Sequence, residues 1–425
     1  MTALLLFSPS ISAGGEEETL IWEECLAEAR KNNPDLLSSE AEVEQARASK
    51  AATRSDLLPQ ISGTMSAGRS KSSGEEAGQS YSYGVSARQL IFDGLKSWYD
   101  LDQSEQSLIA TLLDYDSTSA AIRLDLRSAF VELLQAQELI LITEDIARRR
   151  RQQAELVRLR YEAGREHRGS LLTAEANLAQ AEFDITQARR DLRLAQKQLS
   201  KDMGRRVFTP ITARGELELT IRPETEPDFE RLRDGHPSVL KAAAERESAR
   251  LELKSARADF FPEISGSASI SRRDSEFPPD KENWSLGLSL SLPLFEGGGR
   301  FDETARAKAA LREAEEEEKS ERNDVLLSLQ NAWIDLRDAH DNVIIQEKFL
   351  QADEERAKIA ESQYTTGIMS FDNWIIIEDN LVRSQKSLLQ SRAAALEAEA
   401  EWINAIGGTL DFPTSSDGTT IRQEN

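Results

Sequence analysis

Trp284-Ser285-Leu286-Gly287-Leu288-Ser289-Leu290-Ser291-Leu292-Pro293-Leu294 sets a large apolar residue at every second position and a small or polar one between. Period two is the pattern of a β-strand with one greasy face and one wet face. Just upstream, Ile264, Gly266, Ala268 and Ile270 alternate with Ser265, Ser267, Ser269 and Ser271, and the polar stretch 272–283 joins the two runs. A second pair lies earlier. Ile61, Met65 and Ala67 stand against Ser62, Thr64 and Ser66; after the polar stretch 70–80, Tyr81, Tyr83, Val85 and Ala87 stand against Ser82, Gly84, Ser86 and Arg88. Strand pairs are therefore expected within 59–92 and 262–295, each opened by a proline (Pro59, Pro262) where a missing N–H is tolerated. Each strand is about ten residues long, the length a tilted membrane strand needs.

The wet faces carry Ser and Gly rather than Lys and Glu, which suits a lumen, and Trp284, Leu286, Leu288, Leu290 and Leu292 are expected to face lipid. A soluble sheet would need something to cover that face, and the remaining chain is consumed in helices. Four strands cannot close a barrel, and an open edge in lipid leaves backbone groups unpaired at a cost of several kcal/mol each. The edges must then meet those of other copies. Two, three or four copies would give roughly eight, twelve or sixteen strands, of which twelve is the middle width for a pore.

Outward from the strands, the chain reads twice at a constant register of 203 residues. Asn33-Pro34 returns as His236-Pro237, Pro59-Gln60-Ile61 as Pro262-Glu263-Ile264, Phe92-Asp93-Gly94 as Phe295-Glu296-Gly297, Tyr161-x-x-Gly164 as Tyr364-x-x-Gly367, and Met203-Gly204 as Ile406-Gly407. A unit this long implies duplication of a whole module. The expected layout is a residual secretory signal at 1–15, a first repeat at 16–204, a linker at 205–228, a second repeat at 229–408 and a polar, frayed tail at 409–425.

Between the strand pairs and the Tyr-x-x-Gly turns, 96–160 and 300–363 are dominated by Leu, Ala, Glu, Gln and Arg without proline. Each predicts one helix on the order of 95 Å long. Shorter helices are expected over 20–57, 170–203, 224–258 and 373–406. Leu178, Ala181, Ile185, Ala188, Leu192, Ala195 and Leu199 step by three and four, the seam of a coiled coil, and half of the seam positions in both copies are Ala or Ser. Rods of this length associate laterally.

Composition agrees. Of 425 residues only 39% are hydrophobic while 30% are charged, lean for one large core and normal for long packed helices. The net charge of −23 argues against nucleic acid. No run approaches a membrane-spanning helix. Cys25 is alone, and reads as a small packed residue. Arg148–Arg151 and Glu315–Glu318 read as solvated helix faces, because consecutive residues point all round a helix. Leu217-x-Leu219-x-Ile221 is expected to form a short strand in the linker.

The ordered, duplicated set of Pro-x-Ile strand openings, Phe-Asp/Glu-Gly strand ends and Tyr-x-x-Gly turns resembles the outer membrane efflux proteins, the TolC-like trimeric channel-tunnels, over about residues 20–408. The resemblance implies an α+β membrane protein with internal duplication, in which four strands per protomer contribute to a 12-stranded trimeric outer-membrane β-barrel and the helices form a coiled-coil barrel, a tunnel through the periplasm. It implies a homotrimer that docks onto a periplasmic adaptor protein attached to an inner-membrane pump of the RND or ABC type. It places Tyr161, Gly164, Tyr364 and Gly367 at the periplasmic tip in contact with the adaptor, and Asp372 and Asn373 at the aperture, where some members carry an acidic ring; a helix N-cap is the other reading of Asp372. The linker and tail fall where the family builds an equatorial belt.

No catalytic constellation, cofactor motif or metal set emerges: His167, His236 and His340 lie far apart, and there is no phosphate loop, nucleophile elbow or Cys-x-x-Cys. The expected function is a passive, gated exit duct of a tripartite efflux system, with cargo set by its partners. The exit channel of a type I protein-secretion system is the alternative within the class, and a soluble coiled-coil scaffold with an adhesive head is the rival outside it.

Overall fold

The computed structural model describes residues 18–71, 73–74 and 78–412; the signal segment and the tail beyond 412 lie outside them. The order of elements is β1 (Glu18–Leu20), α1 (Trp22–Asn32), α2 (Pro34–Ser55), β2 (Gln60–Ser70), β3 (Gly78–Phe92), α3 (Lys96–Glu162), α4 (Arg168–Asp202), β4 (Ile211–Ala213), α5 (Phe229–Asp234), α6 (Pro237–Ala258), β5 (Glu263–Asp274), β6 (Glu282–Ser291), α7 (Gly299–Thr366) and α8 (Phe371–Ala405). The long helices have 67 and 68 residues and each is followed by a helix of 35. The helices leading into each strand pair are broken where a single span was expected, at Asn33-Pro34 and before His236-Pro237. Proline cannot donate within a helix but suits its first position. Asn33 Oδ1 accepts from the amides of Asp35 (2.9 Å) and Leu36 (3.2 Å), and His236 Nδ1 accepts from Ser238 N (3.2 Å), so each residue caps the helix its proline opens.

Contacts divide the chain into two units. One comprises Ser117–Arg233 with the stretches ending at Leu37 and starting at Leu326; the other comprises Ser38–Asp116 and Asp234–Val325.

The first unit is helical. On α4, Ala181, Ala188, Ala195 and Leu199 are buried and the intervening seam residues partly so. Alanine at every seventh position lets Ile146 and Ala147 of α3 close directly on Ala181, with Ile185 and Val382 packed around them. Each fully buried aliphatic side chain contributes about 1.5–3 kcal/mol. A small parallel sheet pairs β1 with β4, and Gln137 serves as its further partner: Nε2 donates to Ala213 O at 2.9 Å and Oε1 accepts from Ala213 N at 2.8 Å. The expected strand at Leu217–Ile221 does not form. Leu217 and Leu219 instead pack on Val131, Ala393 and Leu396. The amides of Thr220 and Ile221 donate to the buried carboxylate of Glu399 at 2.8 and 2.6 Å, with Arg127 at 3.8 Å. The start of the tail is docked rather than frayed: Leu410 is buried and its amide donates to Ser119 Oγ at 3.0 Å, while Arg123 donates to the carbonyls of Thr409 and Phe412. Cys25 is fully buried, and burial pushes its thiol up to about 12.

In the second unit β2-β3-β5-β6 form one four-stranded antiparallel sheet. Both charge runs turn out to send one residue inward. Arg150, in the first unit, is buried against Gln153 and Asp379, and Glu318, in the second, is buried between Arg246 (2.9 Å) and Arg322 (3.2 Å). Four consecutive residues sweep a full helical turn, so one of them meets the packed face.

Candidate functional site: a bare apolar sheet face and two helical turns

The register decides what the sheet presents. Ile61 faces Ala87, Met65 faces Tyr83, Val85 faces Ile270, Ala87 faces Ala268, Ile270 faces Trp284, Ala268 faces Leu286, and Ile264 faces Leu290. Directly paired residues share a face, so all four apolar rows lie on one side. On the other side hydroxyls meet across the strands: Ser62 with Ser86 at 2.9 Å, Ser66 with Ser82 at 2.8 Å and Ser269 with Ser285 at 2.9 Å. Among the described residues the apolar side is left largely uncovered. Trp284, Leu286, Leu288 and Leu290 are 64–79% exposed. Leu292 was expected in the same row but lies beyond the strand, which ends at Ser291 because Pro293 has no N–H to continue the ladder. Among the described residues the outer strands β2 and β6 each leave one edge without a partner strand.

The two turns lie in the helical unit. At each, glycine takes the left-handed conformation, Gly164 with φ 68° and Gly367 with φ 83°. Gly164 N donates to Tyr161 O (2.9 Å) and Arg165 N to Arg160 O (2.8 Å); Gly367 N donates to Tyr364 O (3.0 Å) and Ile368 N to Gln363 O (2.9 Å). The latter bond of each pair, reaching five residues back, closes a Schellman motif, which needs a residue without a Cβ at that glycine.

The tyrosines differ. Tyr161 is 39% exposed, whereas Tyr364, expected at the contact surface, is fully buried. It stacks on Trp374 at 4.2 Å between centroids, lies edge-on to Phe371, and packs among Ala154, Val157, Ala174 and Ala360. Arg160 sits over its ring at 4.6 Å and donates to its carbonyl oxygen at 2.6 Å, and the phenol donates to Glu166 Oε2 at 3.0 Å. Burial and the Glu166 carboxylate hold that phenol protonated, well above the ordinary tyrosine range. Tyr364 therefore braces the turn from beneath and has no surface to offer a partner. Ile368, 79% exposed, is what the second turn presents.

The N-cap of α8 is Ser370, whose hydroxyl accepts from Asn373 N, so Asp372 is not the cap; it and Asn373 are exposed in the first helical turn. At the other turn His167 caps α4, its Nδ1 accepting from Ser170 N at 3.2 Å. Sequence reasoning missed Arg160, Glu166, Phe371 and Trp374. Their counterparts at the repeat register are Gln363, Met369, Arg168 and Leu171, and that mismatch was the available signal. Nearby on α8, Glu378 is buried and desolvation raises its carboxyl, with Gln153 and Arg150 opposing.

Among the described residues no helix is long and apolar enough to cross a membrane. Comparison with known proteins points the same way as the sheet. The chain is 22% identical over 410 residues to the outer membrane efflux protein BepC of Brucella suis biovar 1, covering 96% of this chain and 90% of that protein. It is 26% identical to the pyoverdine export outer membrane protein OpmQ of Pseudomonas aeruginosa, covering 90% and 84%. The crystal structure of the open state of the MtrE outer membrane channel of Neisseria gonorrhoeae superposes with a TM-score of 0.82 at 20% identity, covering 92% of this chain and 90% of that one, which shows a shared fold. The family model for outer membrane efflux proteins matches residues 25–205 and again 229–408, and the chain belongs to that family.

Proposed function

We propose that three copies of this chain close a 12-stranded barrel in the outer membrane and join their helices into a periplasmic tunnel, a gated exit duct. The chain is an efflux protein of the outer membrane and not an enzyme. The observation that carries the duct is the sheet: an uncovered apolar face and two open edges on one unit. In lipid the edges must be satisfied by strands. Four alternating strands leave β2 and β6 antiparallel to one another, so copies joined β6 to β2 give a ring that is antiparallel throughout. The hydroxyl face then lines the lumen and Trp284, Leu286, Leu288 and Leu290 meet lipid. The two halves descend from one duplicated module, and their Tyr-x-x-Gly turns form the tip that receives a periplasmic adaptor carrying cargo from an inner-membrane pump. Asp372 and Asn373, exposed beside the second turn, face the aperture. Relatives are named for cargoes as unlike as pyoverdine and cations, in keeping with cargo chosen by the pump.

Placing arginine at Leu288 and Leu290 tests the lipid-facing assignment. Each costs about 2–4 kcal/mol at the bilayer midplane, so the double variant should fail to assemble in the outer membrane fraction. Wild-type amounts of membrane-assembled trimer would contradict the assignment.

A further inference from the structure

The hydroxyl face of the sheet is poor in charge, and where its charges fall is informative. Among its paired positions the charged side chains are Arg88, Glu263 and Arg273. Arg273 lies at the end of the sheet where the strands turn back on one another, next to Asp274. Arg88 and Glu263 lie at the opposite end, where β3 runs toward α3 and where β5 begins. They reach each other across the strands: Arg88 Nη2 donates to Glu263 Oε1 at 3.4 Å, and both side chains keep half or more of their surface exposed, 69% and 50%. Between the two ends the paired wall positions carry Ser, Thr and Gly, with Asn283 the one amide among them.

An exposed pair at this separation adds little to stability, since the median surface ion pair contributes about 0–1 kcal/mol. Its position says more. A ring of fixed charges at one level of a pore governs which small ions enter, because no other charge on that stretch of wall competes with it. The geometry points to Arg88 and Glu263 as a charge-balanced collar at the helix-side end of the barrel, the pair that sets the ion preference of the barrel. This rests on the trimeric duct proposed above, in which three such pairs form a ring of alternating sign. Arginine and glutamate cancel there, so this end of the barrel admits cargo of either charge, and selection is left to the rest of the pathway. Neutralising either partner alone unmasks three like charges. Arg88→Gln leaves three carboxylates and favours cations; Glu263→Gln leaves three guanidiniums and favours anions.

The test is the reversal potential of purified trimers in a planar bilayer under a potassium chloride gradient. Arg88→Gln should raise the cation-to-anion permeability ratio and Glu263→Gln should lower it, each by about fivefold in dilute salt. The double variant and the exchanged pair Arg88→Glu with Glu263→Arg should both return to the wild-type ratio. Both shifts should shrink near 1 M salt, where the screening length falls to about 3 Å. If a single variant does not form trimers, the exchanged pair carries the test, because it restores the pairing and so predicts assembly with wild-type selectivity. A conducting wild type with both single variants unshifted, or shifted in the same direction, overturns the collar while leaving the duct intact. A purified wild-type chain that forms no trimer overturns the duct and the collar with it.

Discussion

At Tyr161–Gly164 and at Tyr364–Gly367 a long helix ends in the same way, with glycine in the left-handed region and the following amide bonded to the carbonyl five residues back. What surrounds the tyrosines is not the same. Tyr161 lies at the surface, while Tyr364 is enclosed by Trp374, Phe371 and Arg160 and tethered to Glu166. The contrast teaches that a repeated sequence motif fixes a backbone, and that the unrepeated neighbours decide what the motif's side chains do. Two of those neighbours, Arg160 and Glu166, belong to the first turn, so the first copy supplies the groups that hold the second.

The strongest way to break this comparison is truncation. Tyr364→Ala should lower stability by about 3–5 kcal/mol through the cavity left beneath α8, and Tyr161→Ala by no more than about 0.5 kcal/mol, read as thermal unfolding of the purified protein in detergent. Equal losses at both sites would remove the asymmetry. Valine at the glycines should erase the difference instead. Gly164→Val and Gly367→Val each force a β-branched residue into the left-handed region, and open space surrounds both positions apart from Arg160 at 3.9 Å from the second, so each should cost about 1–3 kcal/mol. In cells Gly367→Val should impair efflux while trimers persist; wild-type efflux would take that turn out of the mechanism.

Smaller effects sharpen the picture. Tyr364→Phe removes the bond to Glu166 and should cost about 1 kcal/mol, without counterpart at Tyr161. The last comparison is between Glu175 and Glu378, equivalent at the repeat register. Glu175 pairs with Arg158 at 3.1 Å in partial contact with water, whereas Glu378 is buried and its carboxyl is raised by desolvation. A carboxyl raised in the folded state binds its proton more tightly there than in the unfolded chain. Its penalty is present in full above the folded value and is lost as pH falls through it. Glu378→Gln should therefore unfold at a higher temperature than wild type at neutral pH, with the gap closing on acidification.

Much of this was legible. Alternation in Trp284–Leu290 and its companions located all four strands, since period two and a uniform face are local properties, and the two glycines announced the turns. Leu217-x-Leu219-x-Ile221 misled because alternation alone does not supply a partner edge, and the carboxylate of Glu399 took its amides instead. The strand that did form, Ile211–Ala213, is too short to show a period. The family resemblance puts Tyr364 at the contact surface with Tyr161, whereas its burial depends on Trp374 and Phe371, which do not repeat. The buried members of the charge runs, Arg150 and Glu318, depended on which side of a helix met its neighbour, a matter of packing and not of local sequence.

Counting chains and barrel strands in the detergent-extracted protein, by native mass spectrometry together with single-particle electron microscopy, tests the central claim most directly. Three copies enclosing twelve strands, with β6 of one beside β2 of the next, is the result expected. A single folded chain stable in buffer without detergent would contradict it.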